Sequence, residues 1–348
     1  MQNEQMTVPP CEGHGSKTKV FGPVNLLEGP DDKGDLHIHL NGAVPAKTVL
    51  QILLEEGTDI MPGFNPEQDL VRRSPCSSLG EYLRPWELLR RLPKRKENLQ
   101  RLVSSAVGEL CSQGLRFVEL RSSVLYLASL QGCAATEALN HLITCIDQAA
   151  KPHGMRWGLI MTVTRGDYSA VQLDSLLSAY NSLGRPKEIV GIDLAGNEDI
   201  PYPIDLPRLF RKAKDEFGLG ITIHAGETGR SENIRAAVEL FAADRIGHGT
   251  AARSDPWLME LLATQDICVE VCPISNRLTG ALPPEIAHPL CDFYEHGVPF
   301  VICSDNPAIH ERGLIEDHKA ALAEGLPPAA IVEQYATAKR YSFIRGLS

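Results

Sequence analysis

Residues 219–249, LGITIHAGETGRSENIRAAVELFAADRIGHG, alternate between two periodicities. LGITIHA (219–225) is a short apolar run rich in β-branched side chains, and SENIRAAVELFAA (231–243) carries helical spacing opened by Ser231 as N-cap; DRIGHG (244–249) is again short and extended. Strand, helix, strand without a hairpin turn predicts a right-handed βαβ unit and parallel strands. The same pattern continues in both directions. Further short apolar runs are GDLHIHL (34–40), LRFVELR (115–121), RWGLIMTV (156–163), IVGIDLA (189–195), ICVEVCP (267–273) and PFVICSD (299–305). Helical segments separate them, ENLQRLVSSAVGELCSQG (97–114) among them. Eight such units fit a closed (β/α)8 barrel of the TIM type better than an open doubly wound sheet, because no G-x-G-x-x-G fingerprint follows an early strand. The surplus length lies at 41–114, where an extra helical insertion after strand 1 is expected. Residues 1–33, rich in Gly, Pro and charge, are expected to form a flexible arm, leaving 34–348 as one domain without an internal repeat.

Composition bounds the function. The chain has 348 residues, 43% hydrophobic and 22% charged, which excludes disorder and fibrous classes. At this size folding buries roughly 75% of the unfolded surface, so no disulfide or metal is needed as a staple and a metal would be there for function. The formal charge is −10, from 34 basic and 44 acidic residues, with no basic cluster of the kind phosphate backbones or anionic lipid attract. Nucleic acid and membrane are therefore not expected partners; a small molecule is. Nine cysteines, an odd number set mostly in apolar runs, read as free thiols in a reducing compartment. With no apolar leader at the N-terminus and no run of ~18 apolar residues, the expected location is the cytoplasm.

The chemistry-bearing residues sit at strand ends. His37 and His39 alternate with Leu36, Ile38 and Leu40, so period two puts both imidazoles on one face. Taken alone the pair fits a solvated strand face. On the first strand of a barrel that face points to the lumen, where unpartnered imidazoles are costly and a metal satisfies both. His224-Ala225-Gly226-Glu227 ends the fifth run, Gly247-His248-Gly249 the sixth and Ser304-Asp305-Asn306-Pro307 the eighth. Barrel enzymes build active sites at the C-terminal ends of their strands. Three imidazoles, from His37, His39 and His224, with the Asp305 carboxylate make a donor set suited to one Zn²⁺ per chain with a water as further ligand. Cys268 and Cys272, four apart, are a weaker metal pair, since no CxxC accompanies them.

Taken together, HIHLNGAV (37–44), FVELR (117–121), GIDLAGNE (191–198), HAGE (224–227), RIGHG (245–249), EVCPISN (270–276) and SDNP (304–307) resemble the adenosine deaminase family of the amidohydrolase superfamily. The resemblance implies hydrolytic deamination at carbon 6 of an aminopurine. It implies Glu227 as general acid towards purine N1, His248 as the group that orients the attacking water and takes its proton, and Asp305 as both metal ligand and hydrogen-bond acceptor. It also sets His39 beside the substrate and the backbone amide of Gly196 at purine N3. Leu79, Tyr82, Leu83 and Trp86, at helical spacing in SSLGEYLRPWELLRRL (77–92), read as core by spacing alone; the family uses an apolar helix there as a gate over the purine.

Two positions depart from the pattern. Asn41 stands where nucleoside-specific members carry Asp against the ribose 5′-hydroxyl, and the branch that resembles N6-methyl-AMP deaminase also has Asn there. A 5′-substituted, phosphorylated or N6-substituted nucleoside thus enters consideration, with Arg121, Arg165 and Arg277 as phosphate candidates by strand-end placement. Asn306 stands where the family has a second Asp that donates to purine N7; an amide NH₂ donates at any pH. Natural divergence, a different ring in the pocket and an engineered change all account for it. Two other functions stay open at this point: deamination of another amino-heterocycle, such as a free base or a pterin, and a catalytically silent binding protein of the same fold.

Overall fold

The computed structural model describes residues 33–347; the expected N-terminal arm lies outside the described residues except for Lys33. Eight strands follow one another in a single parallel sheet: β1 (Lys33–His39), β2 (Leu115–Ser122), β3 (Arg156–Thr164), β4 (Ile189–Ala195), β5 (Gly220–Ala225), β6 (Arg245–His248), β7 (Cys268–Val271) and β8 (Phe300–Ile302). Each pairs with the next in sequence. The ring closes where β8 runs past its last ladder residue: His39 N–H donates to the Asp305 carbonyl and Asp305 N–H to the His37 carbonyl, both at 2.9 Å. The (β/α)8 barrel read from the sequence is the observed fold.

All eight expected runs are strands, and their trimmed ends have physical causes. Leu40 leaves β1 for a 3-10 turn, Leu40–Ala43, and Pro273 opens the helix Pro273–Leu278, ending β7 before Cys272. The expected insertion is present as helices Ala46–Glu56, Pro66–Asp69, Leu79–Tyr82, Arg84–Leu89 and Lys96–Ser112. The single helix expected at 77–92 is two short ones, because Pro85 restarts the helix in its first turn after Leu83.

Branched aliphatics from strands and surrounding helices make one large core, with Ile38, Leu120, Leu159, Ile192, Ile223, Ile246 and Val269 fully buried between the two layers. The inward positions are different. Glu119, Arg121, Asp193, Thr222, Arg245 and Glu270 are all buried, and they are paired. Arg245 bonds Glu119 at 2.5 Å and Glu270 at 2.6 Å, and Arg121 bonds the other oxygen of Glu270. Charges buried this deeply persist only when paired in this way. This layer carries the site.

Candidate active site

The four expected metal ligands meet above the ion-pair layer. His39 Nε2 lies 3.1 Å from His224 Nε2, and Asp305 Oδ1 lies 3.5 Å from His39 Nε2 and 3.6 Å from His37 Nε2. His37 Nε2 and Asp305 Oδ1 are buried polar atoms without a hydrogen-bond partner, which the interior does not tolerate without a further group. Two carboxylates hold the imidazoles from behind: Glu270 accepts from His37 Nδ1 at 2.7 Å and Asp193 from His224 Nδ1 at 2.8 Å. Each fixes the proton on Nδ1 and leaves Nε2 as a lone pair aimed at the common point. Burial above all, and then the neighbouring positive charges, hold all three imidazoles well below the usual histidine pKa, in the neutral form that ligates metal. The residues fit one metal ion.

Glu227 is placed by its backbone. Glu198, in the strand-4 loop, accepts from Gly226 N–H at 2.8 Å and Glu227 N–H at 2.6 Å, while the Gly226 carbonyl takes Thr250 Oγ1 at 2.7 Å. The carboxyl projects into the cavity 3.8 Å from His248 Nε2. Burial, followed by the Asp305 and Glu198 charges, pushes its pKa well above the usual carboxylate range, which favours the protonated form that a proton donor needs.

The proton on His248 is fixed by a chain that starts at a group able only to donate. Leu290 N–H donates to His288 Nδ1 at 3.3 Å; His288 Nε2–H donates to Asn276 Oδ1 at 3.2 Å; the Asn276 amide donates to His248 Nδ1 at 3.1 Å. Neutral His248 therefore carries its proton on Nε2, facing the cavity. That tautomer donates into the cavity, and beside it Asp305 Oδ2 takes Ser275 Oγ at 2.6 Å while Oδ1 has no hydrogen-bond partner. His248 and Asp305 both have non-glycine backbones in the left-handed region, at φ 66° and 60°. Such positions cost about 1 kcal/mol or more each and are held here by the turns that swing both side chains over the barrel end.

Asn41, Gly196 and Asn306 line the same cavity as Glu227, His248 and Asp305, and Leu79, Leu83 and Trp86 line it from the insertion. Gly196, at φ 101°, needs the freedom of glycine to turn its loop there. The arginine candidates are engaged by groups of the protein itself. Arg121 is spent on Glu270, Asp193 and the Leu36 carbonyl; Arg165 donates to the His224 carbonyl; Arg277 is bidentate to Glu324 and caps three carbonyls. Cys268 and Cys272 sit in an apolar cluster with Leu36 and Phe117, their thiols pushed well up by burial, and behave as small hydrophobes rather than metal ligands.

Sequence reasoning missed the partners that lie behind the ligands, Glu270, Asp193, Glu198, Ser275, Asn276 and His288. Five of them stand inside quoted motifs, Asp193 and Glu198 in GIDLAGNE and Glu270, Ser275 and Asn276 in EVCPISN, and the alternation of β4 and β7 marks Asp193 and Glu270 as inward. It also missed the Tyr82 hydroxyl, read only as part of an apolar stripe.

A parallel eight-stranded barrel that gathers three imidazoles and an acid at the C-terminal ends of its strands defines a barrel hydrolase of the amidohydrolase superfamily. Residues 32–345 match the family described as adenosine deaminase. The chain is 30% identical over 295 residues to an adenosine deaminase of Clostridium acetobutylicum, covering 82% of this chain and 85% of that one. Among solved structures, an amidohydrolase from Burkholderia ambifaria with bound Zn superposes with a TM-score of 0.80 at 22% identity, over 90% of this chain and 86% of that one. The N6-mAMP deaminase of Arabidopsis gives 0.78 at 21% identity, over 92% and 95%. The chain belongs to the adenosine deaminase family, and is a hydrolase acting on C–N bonds of cyclic amidines.

Proposed function

We propose that this chain is a zinc-dependent hydrolytic deaminase of a 6-aminopurine nucleoside, adenosine or a close derivative, that releases ammonia or an amine. One observation carries the reading: the buried Glu227 carboxyl, its pKa raised by burial, shares a cavity with His39, His224, His248 and Asp305, with His37 gathered beside them. His37, His39, His224 and Asp305 would hold the zinc, which supplies a water acidified towards pKa 7 as nucleophile. Glu227 donates its proton to purine N1, so that the electron pair displaced by attack at C6 ends as a neutral N1–H. His248 would hold the attacking water in place with Nε2–H, and the Asp305 carboxylate would take the proton the water gives up. The same proton passes to the C6 amino group, which leaves as the neutral amine when the C–N bond breaks, while the proton remaining on the C6 hydroxyl returns to Glu227 as the carbonyl forms. Gly196 N–H faces purine N3, and Asn306 offers an amide N–H to N7.

A panel of aminopurines with ammonia detection, alongside elemental analysis, tests the reading. Ammonia from adenosine-type compounds and about one zinc per chain are expected. Ammonia from a pterin or free base alone, from nothing on the panel, or two metals per chain would overturn it.

A second reading, in which the ribose carries an anionic 5′ group, has Arg90 in its favour. This exposed guanidinium lines the cavity, lies 5.3 Å over the Tyr126 ring and has no carboxylate partner among the described residues. Asn41→Asp separates the two readings. A carboxylate at the 5′ end accepts from a hydroxyl and repels a phosphate, so kcat/KM is expected to rise for adenosine and to fall at least about tenfold for its 5′-monophosphate. Changes of one sign for both substrates would remove Asn41 from the 5′ end.

A further inference from the structure

The Tyr82 hydroxyl is buried against β8 and enters a hydrogen-bond chain that the purine chemistry above does not require. It lies 2.7 Å from His310 Nε2, and Asn306 Nδ2 donates to it at 3.0 Å. The other end of that amide, Oδ1, has no partner and faces Gly42 so closely that a Cβ there would lie 2.0 Å from it. An amide can be turned end for end, and whether it shows a bound ligand a donor or an acceptor depends on what its neighbours demand.

The demand is set by His310. Burial, then the Arg312 charge, lowers its pKa to about 3, so the ring is neutral and one nitrogen accepts. His310 Nδ1 has no hydrogen-bond partner, so the direction is read from Tyr82: its oxygen already accepts from Asn306 Nδ2, and its own proton points to His310 Nε2 at 2.7 Å. Nε2 then accepts from Tyr82 O–H, and the tyrosine oxygen, its proton committed, accepts from Asn306. The chain runs one way: Asn306 N–H to Tyr82, Tyr82 O–H to His310. The carboxamide oxygen is turned towards Gly42, and the amide nitrogen, which also interacts with the Asp305 carboxylate, borders the cavity that Asn306 lines.

We propose that Tyr82 is a positioning residue for ring recognition: delivered by the insertion helix Leu79–Tyr82, its hydroxyl fixes the Asn306 amide with N–H towards the bound ring, so that the enzyme selects a ring acceptor at the N7 position. A family carboxyl that donates only when protonated needs no such lock; an amide does. The helix bearing the lock also lines the cavity through Leu79.

This inference rests on the purine reading, and the experiment keeps the two apart. Equilibrium binding of inosine and 7-deazainosine, equal in shape and differing at N7, is measured in wild type, Tyr82→Phe and His310→Phe, with metal content and thermal midpoint recorded for each. Wild type is expected to prefer inosine about tenfold, about 1.4 kcal/mol, the order of an unsatisfied buried donor. In Tyr82→Phe the preference is expected to fall to within about twofold of unity while metal content is kept. His310→Phe, which removes the acceptor and leaves the tyrosine, should do the same. A merely structural role would weaken both ligands and leave their ratio in place. A wild-type preference that persists in either folded variant overturns the lock alone. Equal wild-type binding of the two ligands overturns the lock together with the N7 contact, and binding of neither overturns the purine reading itself.

Discussion

Glu227→Gln is expected to lower kcat by at least ~10²-fold, in the range of ~10² to 10⁴ that general acid catalysis contributes, with metal content unchanged. The amide fills the same space and can still donate a hydrogen bond to N1, but it has no proton to give up. What is lost is the neutralisation of N1 as electrons move onto it, an effect made only in the transition state, so kcat and kcat/KM should fall together. The wild-type carboxyl suits the role because burial, Asp305 and Glu198 all raise its pKa. The two backbone bonds from Gly226 and Glu227 to Glu198 do not involve the substituted side chain, so the loop stays in place. Steady-state kinetics on adenosine with ammonia detection measures the fall. Turnover within about threefold of wild type would remove Glu227 from the proton transfer and leave it as a carboxyl at a helix-facing loop.

The barrel was legible because strand and helix periodicities alternate eight times, and the clustering of His37, His39, His224 and Asp305 because the first two keep period two while the others fall at strand ends. Arg121 shows where that reasoning stops. A strand-end arginine in sequence looks like a phosphate contact; its partner Glu270 is 149 residues away, and nothing local says that the charge is already neutralised. Tyr82 shows a second limit. Its spacing with Leu79 and Trp86 reports the apolar ring, which does pack on Ile274 and Leu278, but the hydroxyl's partners come from β8's loop and from the helix that follows. The proton on His248 was out of reach altogether, since it is set by Leu290 and His288 through Asn276. Long-range polar pairing, unlike hydrophobic period, leaves no repeat in the chain.

Glu270→Gln is expected to destabilise the fold by about 3–5 kcal/mol and to weaken metal binding about 10- to 100-fold, and both follow from one carboxylate doing two things. Oε1 accepts Arg245 Nε at 2.6 Å and Thr222 Oγ1 at 3.0 Å; Oε2 accepts His37 Nδ1 at 2.7 Å and the Arg121 guanidinium. Every one of these partners donates. A glutamine must turn its NH₂ towards either an arginine or the His37 N–H, so one side meets donor against donor in a fully buried site. Two buried guanidiniums then share Glu119 and Asp193 alone as anions, which is the broken-pair case whose cost exceeds that of never having built the pair. If the NH₂ faces His37, the ring loses the acceptor that keeps its proton on Nδ1 and Nε2 free. Chemical denaturation of the metal-free protein isolates the first effect, and competition with a chelator at matched folded fraction isolates the second. Loss of metal affinity at unchanged stability would mean that Arg121 and Arg245 are adequately served by their other carboxylates. A stability change below about 1 kcal/mol with affinity intact would show that the ion-pair layer does not support the site, and that His37 is oriented by its strand alone.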